Sequence, residues 1–246
     1  MTLSQQRVLI TGGGTGVGAH LAKVFAAQGA DVIISGRRVE PLEAVAEQAK
    51  GITAIAADVT SEDDVAALFQ AAGPVSIVIA NAGASTSAPF GKTTLEDWNA
   101  MMAVNLTGVF LTLRAGLNQM SGWGRLISVA STAGLKGYPY VAPYVAAKHG
   151  VVGLTRALAL EVARKEITVN ALCPGFLDTE MTGRSIANIV EKTGMKPEAA
   201  RAALTASNPQ KRLIQPAEVT AAALWLCGPG SEGINGQAIS ISGGEI

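Results

Sequence analysis

The stretch from Arg7 to Gly18 reads RVLITGGGTGVG and decides the fold. Its first five residues, Arg7 to Thr11, predict a short buried strand. Five glycines follow between positions 12 and 18, and the pattern of apolar residues then predicts a helix over residues 16–28. A loop without side chains lets its backbone approach a phosphate, and the helix after it presents free N–H groups. The stretch therefore predicts a strand–loop–helix unit that binds the pyrophosphate of a dinucleotide.

The same alternation of strand and helix continues to the end of the chain. Further strands are predicted over residues 31–35, 52–57, 75–80, 125–129, 168–172 and 238–241, with helices over 39–50, 62–70, 95–119, 144–164 and 216–226. Short apolar strands alternating with helices indicate a doubly wound parallel sheet. We expect one α/β Rossmann domain over residues 1–246, with about seven strands and helices on both faces.

One polar stretch, residues 178–215, interrupts this rhythm. It contains no predicted strand and one or two short helices, for instance near residues 196–206. A long insertion after a sheet strand is typical of a substrate lid, so we assign this segment as a candidate lid.

The bulk composition narrows the class of protein. The chain has 246 residues, of which 48% are hydrophobic and 15% charged, which is typical of a globular core and excludes general disorder. Nineteen basic and 19 acidic residues give zero net charge, so we expect no nucleic-acid partner. We find no targeting segment, no apolar run long enough to span a membrane and no metal site. Cys173 and Cys227 are expected to be reduced thiols, and we expect a cytoplasmic protein.

Three further motifs follow the glycine loop in order. Asn81-Ala82-Gly83 ends the fourth predicted strand, Ser131 follows the fifth, and Tyr144-Val145-Ala146-Ala147-Lys148 opens a long apolar helix. The spacing of Tyr144 and Lys148 puts both on one helix face. A phenol can protonate the alkoxide that forms when a ketone is reduced, and a nearby ammonium lowers its pKa from about 10 toward neutrality.

Each motif alone has an ordinary structural explanation. A Tyr-x-x-x-Lys spacing is usually a plain helix face, and Ser131 alone is more often a turn residue. Tyr138 and Tyr140 are rival tyrosines, but neither has a lysine four residues later, and Ser128 rivals Ser131. The motifs together, in this order behind the glycine loop, predict an enzyme that interconverts a carbonyl and an alcohol.

The spacing Thr-Gly-x-x-x-Gly-x-Gly in the first loop, with the later motifs, resembles the short-chain dehydrogenase/reductase family from Arg7 to Gly244. The resemblance implies hydride transfer to or from a nicotinamide dinucleotide. It implies that Tyr144 is the proton donor, that Ser131 bonds the substrate oxygen, and that Lys148 also holds the nicotinamide ribose. Asn105 matches the asparagine that organises a water in the proton relay. The implied cofactor contacts are Thr11, Gly12, Gly14, Thr15, Gly16, Val17, Gly18, Arg37, Asp58, Val59, Asn81, Ala82, Gly83, Tyr144, Lys148, Pro174, Gly175 and Thr179.

The end of the second strand bears on which dinucleotide is bound. An acidic residue there selects NAD(H), but this chain has Gly36, followed by Arg37, whose guanidinium can bond a 2′-phosphate in bidentate fashion. NADP(H) is therefore the preferred cofactor. NAD(H) remains the alternative if Arg37 and Arg38 form a solvated turn. Thr15 is neutral, so the basic residue that related NADP enzymes carry in the glycine loop is missing.

The substrate rests on resemblance alone. Residues 143–175 and the ending Gly243-Gly244 resemble bacterial reductases of 3-oxoacyl thioesters and polyketide chains. A 3-oxoacyl-CoA or carrier-protein thioester is the first choice, and another small ketone or secondary alcohol is the alternative. Basic residues of the candidate lid either meet the phosphates of a thioester carrier or form a solvated surface. They are Lys192, Lys196, Arg201, Lys211 and Arg212.

Two further classes of protein remain as alternatives. A non-catalytic dinucleotide-binding regulator on this fold predicts a broken set of catalytic residues, and this set is complete. A nucleotide-sugar epimerase or dehydratase also uses Tyr-x-x-x-Lys, but usually has another glycine spacing and a longer C-terminal substrate domain. The family resemblance also implies a homotetramer, paired through the helices over 95–119 and 144–164 and the strand over 238–241.

Overall fold

The computed structural model describes residues 3–246 as a seven-stranded sheet in which every strand pair is parallel. The strand order is β3-β2-β1-β4-β5-β6-β7, so the predicted doubly wound fold is confirmed. The order reverses between β1 and β4, and ligands of such sheets bind at the carboxyl ends of the strands beside this point. The strands are β1 (Arg7–Thr11), β2 (Asp31–Gly36), β3 (Ile52–Ala56), β4 (Ile77–Ala80), β5 (Gly124–Val129), β6 (Ile167–Pro174) and β7 (Ala238–Ile241).

Helices cover both faces of the sheet. Alternate side chains of each strand point to opposite faces. Leu9 of β1 therefore joins one apolar cluster, which includes residues of α3, α5 and α6, while Val8 and Ile10 join the other, which includes residues of α1, α2 and α9. The helices are α1 (Gly16–Ala27), α2 (Val39–Ala46), α3 (Glu62–Ala72), α4 (Leu95–Met102), α5 (Gly108–Gln119), α6 (Ala142–Glu161), α7 (Glu180–Thr193), α8 (Pro197–Thr205) and α9 (Pro216–Cys227).

The single helix predicted over residues 95–119 contains a π-helical turn, Ala103–Thr107, between α4 and α5. Asn105 lies in this turn, and its side-chain Nδ2 donates to the carbonyl oxygen of Met101 at 3.1 Å. In an α-helix, the Met101 carbonyl would accept a hydrogen bond from the backbone N–H of Asn105. Here the Asn105 side chain donates to that carbonyl. Such turns are frequent at functional sites.

The segment Leu95–Gln119 also corrects the expectation that no apolar run is long enough to cross a membrane. Its 25 residues have a mean hydropathy of 1.4 in the most apolar window, and 44% of that window is buried. Val109, Leu111 and Leu113 of this segment lie in the core against the sheet. A helix that packs on a sheet in this way is a core helix, and such helices reach the same length and hydropathy as a membrane span.

The candidate lid contains more helix than predicted. Residues 180–193 form α7, a 14-residue helix, and α8 follows at Pro197. The segment closes at its base, where Leu177 and Ile214 form a parallel bridge and the Asp178 N–H donates to the Ile214 carbonyl at 2.9 Å. Residues 178–215 therefore form a helical excursion whose two ends lie side by side beyond β6.

Candidate active site

The glycine loop is packed so closely that side chains cannot enter it. Gly12 and Gly16 have φ values of +66° and +53°, in the left-handed region that favours glycine. A Cβ on Gly18 would lie 2.1 Å from the carbonyl oxygen of Gly12, and one on Gly12 would lie 2.9 Å from the Cα of Ala82. Both approaches are shorter than any real contact of a Cβ, so the glycines are required by the fold of the loop.

Asn81 and Thr11 join the glycine loop to the end of β4. Thr11 Oγ1 accepts from the backbone N–H groups of Asn81 and Ala82, each at 3.1 Å. The Asn81 side chain donates in return to the carbonyl oxygens of Thr11 at 2.9 Å and Gly12 at 3.2 Å. In the structure, the side chains of Thr11 and Asn81 thus set the shape of the loop.

The loop fits a dinucleotide pyrophosphate. Thr15, at the N-cap of α1, makes no side-chain hydrogen bond to the first turn of that helix. Uncapped N–H groups at a helix N-terminus form a ready site for an anion. Gly14 and Gly16 are partly exposed at this end of the helix, and Val17 is buried. Thr179 lies over the loop, because a Cβ on Gly16 would be 3.3 Å from Thr179 Cγ2.

The remaining predicted cofactor positions lie at the same edge of the sheet. Asp58 follows β3, and its Oδ1 accepts from the backbone and the hydroxyl of Thr60 at 2.9 and 2.8 Å, which fixes a turn. Val59 is buried against Gly108 of α5. Pro174 ends β6, and the Gly175 N–H donates to the Ile241 carbonyl at 3.0 Å. These backbone contacts aim the loops after β3 and β6 toward the glycine loop.

Gly36 is the last residue of β2, and its carbonyl accepts from the Ala57 N–H at 3.1 Å. Arg37 follows as an exposed residue, without a hydrogen bond or ion pair within residues 3–246. Asp31 lies at the opposite end of the strand, where it binds Arg7 at 2.6 Å. The end of β2 therefore offers no carboxylate, and two exposed guanidinium groups, those of Arg37 and Arg38, follow it.

Lys148 is buried in α6, with 3% of its surface exposed. Its Nζ donates to the Val129 carbonyl at 2.9 Å and lies 5.5 Å from the centre of the Tyr144 ring. Burial lowers the pKa of Lys148 to about 8. The predicted pairing of phenol and ammonium on one helix face is therefore present, and the sequence did not reveal the Val129 carbonyl as the partner of the ammonium.

Burial raises the pKa of Tyr144, and a hydrogen bond from the Ser131 side chain acts in the opposite direction. The sequence led us to expect a lowered pKa from the ammonium of Lys148. The net direction differs because desolvation of the phenolate outweighs the neighbouring groups, and Lys148 directs its proton to Val129. The phenol is accordingly held in its protonated, proton-donating form.

Ser131 lies at the start of a 3₁₀ turn, Thr132–Gly134, directly after β5, and its Oγ accepts from the Ala133 N–H at 3.1 Å. The rival Ser128 is fully buried within β5, between Ala80 and Ala171 of the adjacent strands. Ser131 is thus the serine at the open edge of the sheet.

Asn105 is fully buried and joins the π turn to the loop after β4. Its Nδ2 donates to the Ala84 carbonyl at 2.9 Å, and its Oδ1 accepts from the Ala84 N–H at 3.3 Å. A Cβ on Gly83 would lie 2.9 Å from Asn105 Oδ1 and 3.8 Å from Lys148 Nζ. The structure therefore brings Asn105, Gly83 and Lys148 together.

Comparison with known proteins places the chain in a family. Residues 6–189 match the family described as short chain dehydrogenase, and the chain belongs to this family of oxidoreductases. A Streptomyces coelicolor protein described as a ketoacyl reductase is 36% identical over 99% of this chain and 98% of its own length. D-beta-hydroxybutyrate dehydrogenase of Rhizobium meliloti is 32% identical, covering 96% of each chain. A structure of an actinorhodin polyketide ketoreductase variant with NADPH superimposes with a TM-score of 0.90 and 35% identity, over 100% of this chain and 99% of that one.

Proposed function

We propose that this oxidoreductase is an NADPH-dependent ketoreductase that interconverts a 3-oxoacyl thioester and its secondary alcohol. One observation carries the catalytic part of the proposal. Asn105, Lys148 and the loop residue Gly83 converge next to Tyr144 and Ser131, at the edge of the sheet that holds the glycine loop. This complete set argues against a non-catalytic dinucleotide-binding regulator.

The roles of the side chains follow from their chemistry. The bound dinucleotide supplies the hydride, and the protein must supply the proton and polarise the carbonyl. The Tyr144 phenol, kept protonated by burial, donates its proton to the carbonyl oxygen, while the Ser131 hydroxyl donates a hydrogen bond to the same oxygen. By the family resemblance, the Lys148 ammonium would also hold the nicotinamide ribose, and Asn105 would position a water that returns a proton to the site.

The preference for NADP(H) rests on the end of β2. Gly36 offers no carboxylate to repel a 2′-phosphate, and the exposed Arg37 offers a guanidinium to bind it. The related polyketide ketoreductase structure contains NADPH, which agrees with this assignment.

Replacing Arg37 tests the cofactor assignment. The ratio of kcat/KM for NADPH to that for NADH should exceed one in the native enzyme and fall about tenfold or more in Arg37→Ala, since the charged bonds to the phosphate are each worth about 1.5–3 kcal/mol. Arg164→Ala, at an exposed position beyond α6, is the matched control and should leave the ratio unchanged. A native preference for NADH would defeat the assignment, as would an NADPH preference that survives the loss of Arg37.

The thioester proposal draws on the relatives and on the charges of the lid. Three of the five basic lid residues already have partners, since Arg201 binds Asp178, Arg212 binds Glu218, and Lys211 donates to the Ala206 carbonyl. Lys192 and Lys196 remain exposed, without a hydrogen bond or ion pair in the described part of the chain. We assign these two lysines to the phosphates of the thioester carrier.

Reduction of acetoacetyl-CoA tests the substrate class. The reaction is monitored through the decrease in NADPH absorbance. We expect kcat/KM for acetoacetyl-CoA to exceed that for acetoacetate or simple ketones, and the double variant Lys192→Ala, Lys196→Ala to raise KM for the CoA ester alone. The second candidate is a dehydrogenase of a small hydroxy acid, which the likeness to D-beta-hydroxybutyrate dehydrogenase favours. Faster turnover of acetoacetate than of its CoA ester would support that candidate and overturn the first.

We further propose a homotetramer in the cytoplasm. Large apolar side chains are exposed on the helices predicted to pair, including Leu95 (74%) on α4 and Leu160 (80%) on α6. The free thiols of Cys173 and Cys227 suit a reducing compartment. Light scattering at micromolar concentration should give four times the chain mass, and a monomer there would contradict the tetramer.

A further inference from the structure

The C-terminal residues fold back against the loop that carries Ser131. Glu245, the second-last residue, has a side chain only 2% exposed. Its Oε1 accepts from the Tyr138 hydroxyl at 2.5 Å and from the Lys136 ammonium at 2.7 Å. A carboxylate buried to this degree needs such partners to remain charged. The sequence analysis gave Glu245 no role and treated Tyr138 only as a rival of Tyr144.

The charge on Glu245 determines the direction of the hydrogen bonds. Burial raises the pKa of Glu245, but the bonds from Lys136 and Tyr138 outweigh burial and hold that pKa below its ordinary value. A carboxylate only accepts, so the single proton of the Tyr138 phenol points to Glu245. The phenol oxygen then accepts from the hydroxyl of Thr132, 2.8 Å away. Glu245 thus orients Tyr138, and Tyr138 orients Thr132.

Thr132 is buried and directly follows Ser131 in the chain. The 3₁₀ turn that it begins packs on the catalytic helix, since a Cβ on Gly134 would lie 2.7 Å from the Lys148 carbonyl oxygen. Tyr138 also packs edge-on against Phe176, which follows Gly175, with 6.1 Å between ring centres. Tyr138 therefore joins the loops after β5 and β6, and Glu245 holds Tyr138 in place.

We propose that Glu245 is a positioning residue for carbonyl reduction, which acts through Tyr138 and Thr132 to hold the Ser131 hydroxyl where the substrate oxygen binds. The inference rests on the role proposed above for Ser131. It makes the segment after β7 a working part of the active site, attached to it by a carboxylate, a phenol and a threonine hydroxyl.

Kinetics of Glu245→Gln and Tyr138→Phe test the proposal. Tyr138→Phe keeps the ring against Phe176 and removes only the hydroxyl, so it remains informative if Glu245→Gln folds poorly. Both variants should lower kcat about tenfold, because small displacements of a reacting group cost one to two orders of magnitude. The Kd for NADPH should stay within about twofold of the native value, since the glycine loop is untouched. The double variant should be no slower than the slower single variant, because both changes break one chain of contacts.

The isotope effect on kcat separates positioning from a merely structural role. With 4-deuterated NADPH, the isotope effect on kcat should rise in both variants, because misplacing Ser131 slows the chemical step. Glu47→Gln, at an exposed position beyond α2, and Tyr140→Phe, at a tyrosine that is 64% exposed, are the matched controls and should keep the native kcat.

The outcomes distinguish this inference from the substrate proposal. If the native enzyme reduces another ketone faster than acetoacetyl-CoA, the thioester proposal fails, and the variants are then compared on that ketone. Native kcat in both variants, or single effects that multiply in the double variant, would overturn the role of Glu245. Variants with a lower melting temperature but unchanged kcat and isotope effect would reduce the contact to a structural one.

Discussion

The glycine loop and the candidate lid meet where Thr179 approaches Gly16, but they are built in opposite ways. In the loop, Cβ atoms added at Gly12 or Gly18 would approach backbone atoms to 2.9 and 2.1 Å. In the candidate lid, residues 191–199 are exposed throughout, and the side chain of Asn188 reaches the loop after β4 through a polar contact to Ser87 at 3.2 Å. We propose that the closely packed sheet edge performs the chemistry and that the more exposed candidate lid selects and releases the substrate.

The largest expected effect follows from removing the proton donor of the rigid region. Tyr144→Phe should lower kcat by about a thousandfold, because general acid catalysis contributes about 10²- to 10⁴-fold. The Kd for NADPH, measured by its fluorescence, should remain close to native because the ring still fills its place. Tyr140→Phe is the control. Retention of native turnover in Tyr144→Phe, with an isotope effect showing that chemistry limits the rate, would remove Tyr144 from the mechanism.

A matched pair of glycine substitutions tests the contrast in packing directly. A Cβ on Gly18 meets the Gly12 carbonyl at 2.1 Å, whereas one on Gly183 of α7 has no neighbour within 4 Å. Gly18→Ala should weaken NADPH binding at least about tenfold and lower the melting temperature, since overpacking typically costs about 1–3 kcal/mol. Gly183→Ala should leave binding unchanged and stabilise its helix by about 0.5–1 kcal/mol. Equal changes in NADPH affinity and melting temperature at the two positions would mean that the loop accommodates a Cβ as readily as the candidate lid does.

The third prediction concerns the stability cost of the buried lysine. Burial lowers the pKa of Lys148 from 10.5 to about 8, so the unfolded chain binds more protons between these values. Stability should therefore rise as the pH increases from about 8 to 10.5, and the penalty of the buried charge is fully present below pH 8. Lys148→Met should be more stable than the native enzyme at pH 7 by about 1–3 kcal/mol, with a smaller advantage at pH 10.

Urea unfolding at both pH values measures this difference, and turnover of the variant should be lost in the same samples. Lys50→Met, at an exposed position beyond α2, should show neither effect. A Lys148→Met variant that is less stable at pH 7, or whose advantage grows with pH, would contradict the assignment of a penalty to this charge.

The two regions also differ in how far the sequence predicts them. The sheet was predictable because short continuous apolar runs and the glycine loop are local signals, and β1 has the predicted bounds Arg7–Thr11. Tyr144 and Lys148 were found because a spacing of four residues fixes their common face. The π turn at Asn105 was not predicted, since it depends on a tertiary contact between Asn105 and Ala84, 21 residues apart. Likewise, the bond from Glu245 to Tyr138 joins residues 107 positions apart and leaves no local pattern.

The smallest expected effect comes from loosening the lid at its contact with the body. Asn188 Nδ2 of α7 donates to the Ser87 hydroxyl in the loop after β4 at 3.2 Å. A hydrogen bond between side chains contributes about 0.5–1.5 kcal/mol, so Asn188→Ala should raise KM for the substrate about threefold. The value of kcat should stay within about twofold, because the contact is remote from the proton donor. Ser87→Ala should reproduce the effect, and the double variant should add nothing to it. Steady-state kinetics measure both values. Asn118→Ala, at an exposed position on α5, is the matched control and should leave KM and kcat unchanged. If kcat instead falls tenfold with KM unchanged, closure of the candidate lid takes part in the chemical step. The proposal that the sheet edge alone performs the chemistry, while the lid only selects the substrate, is then wrong.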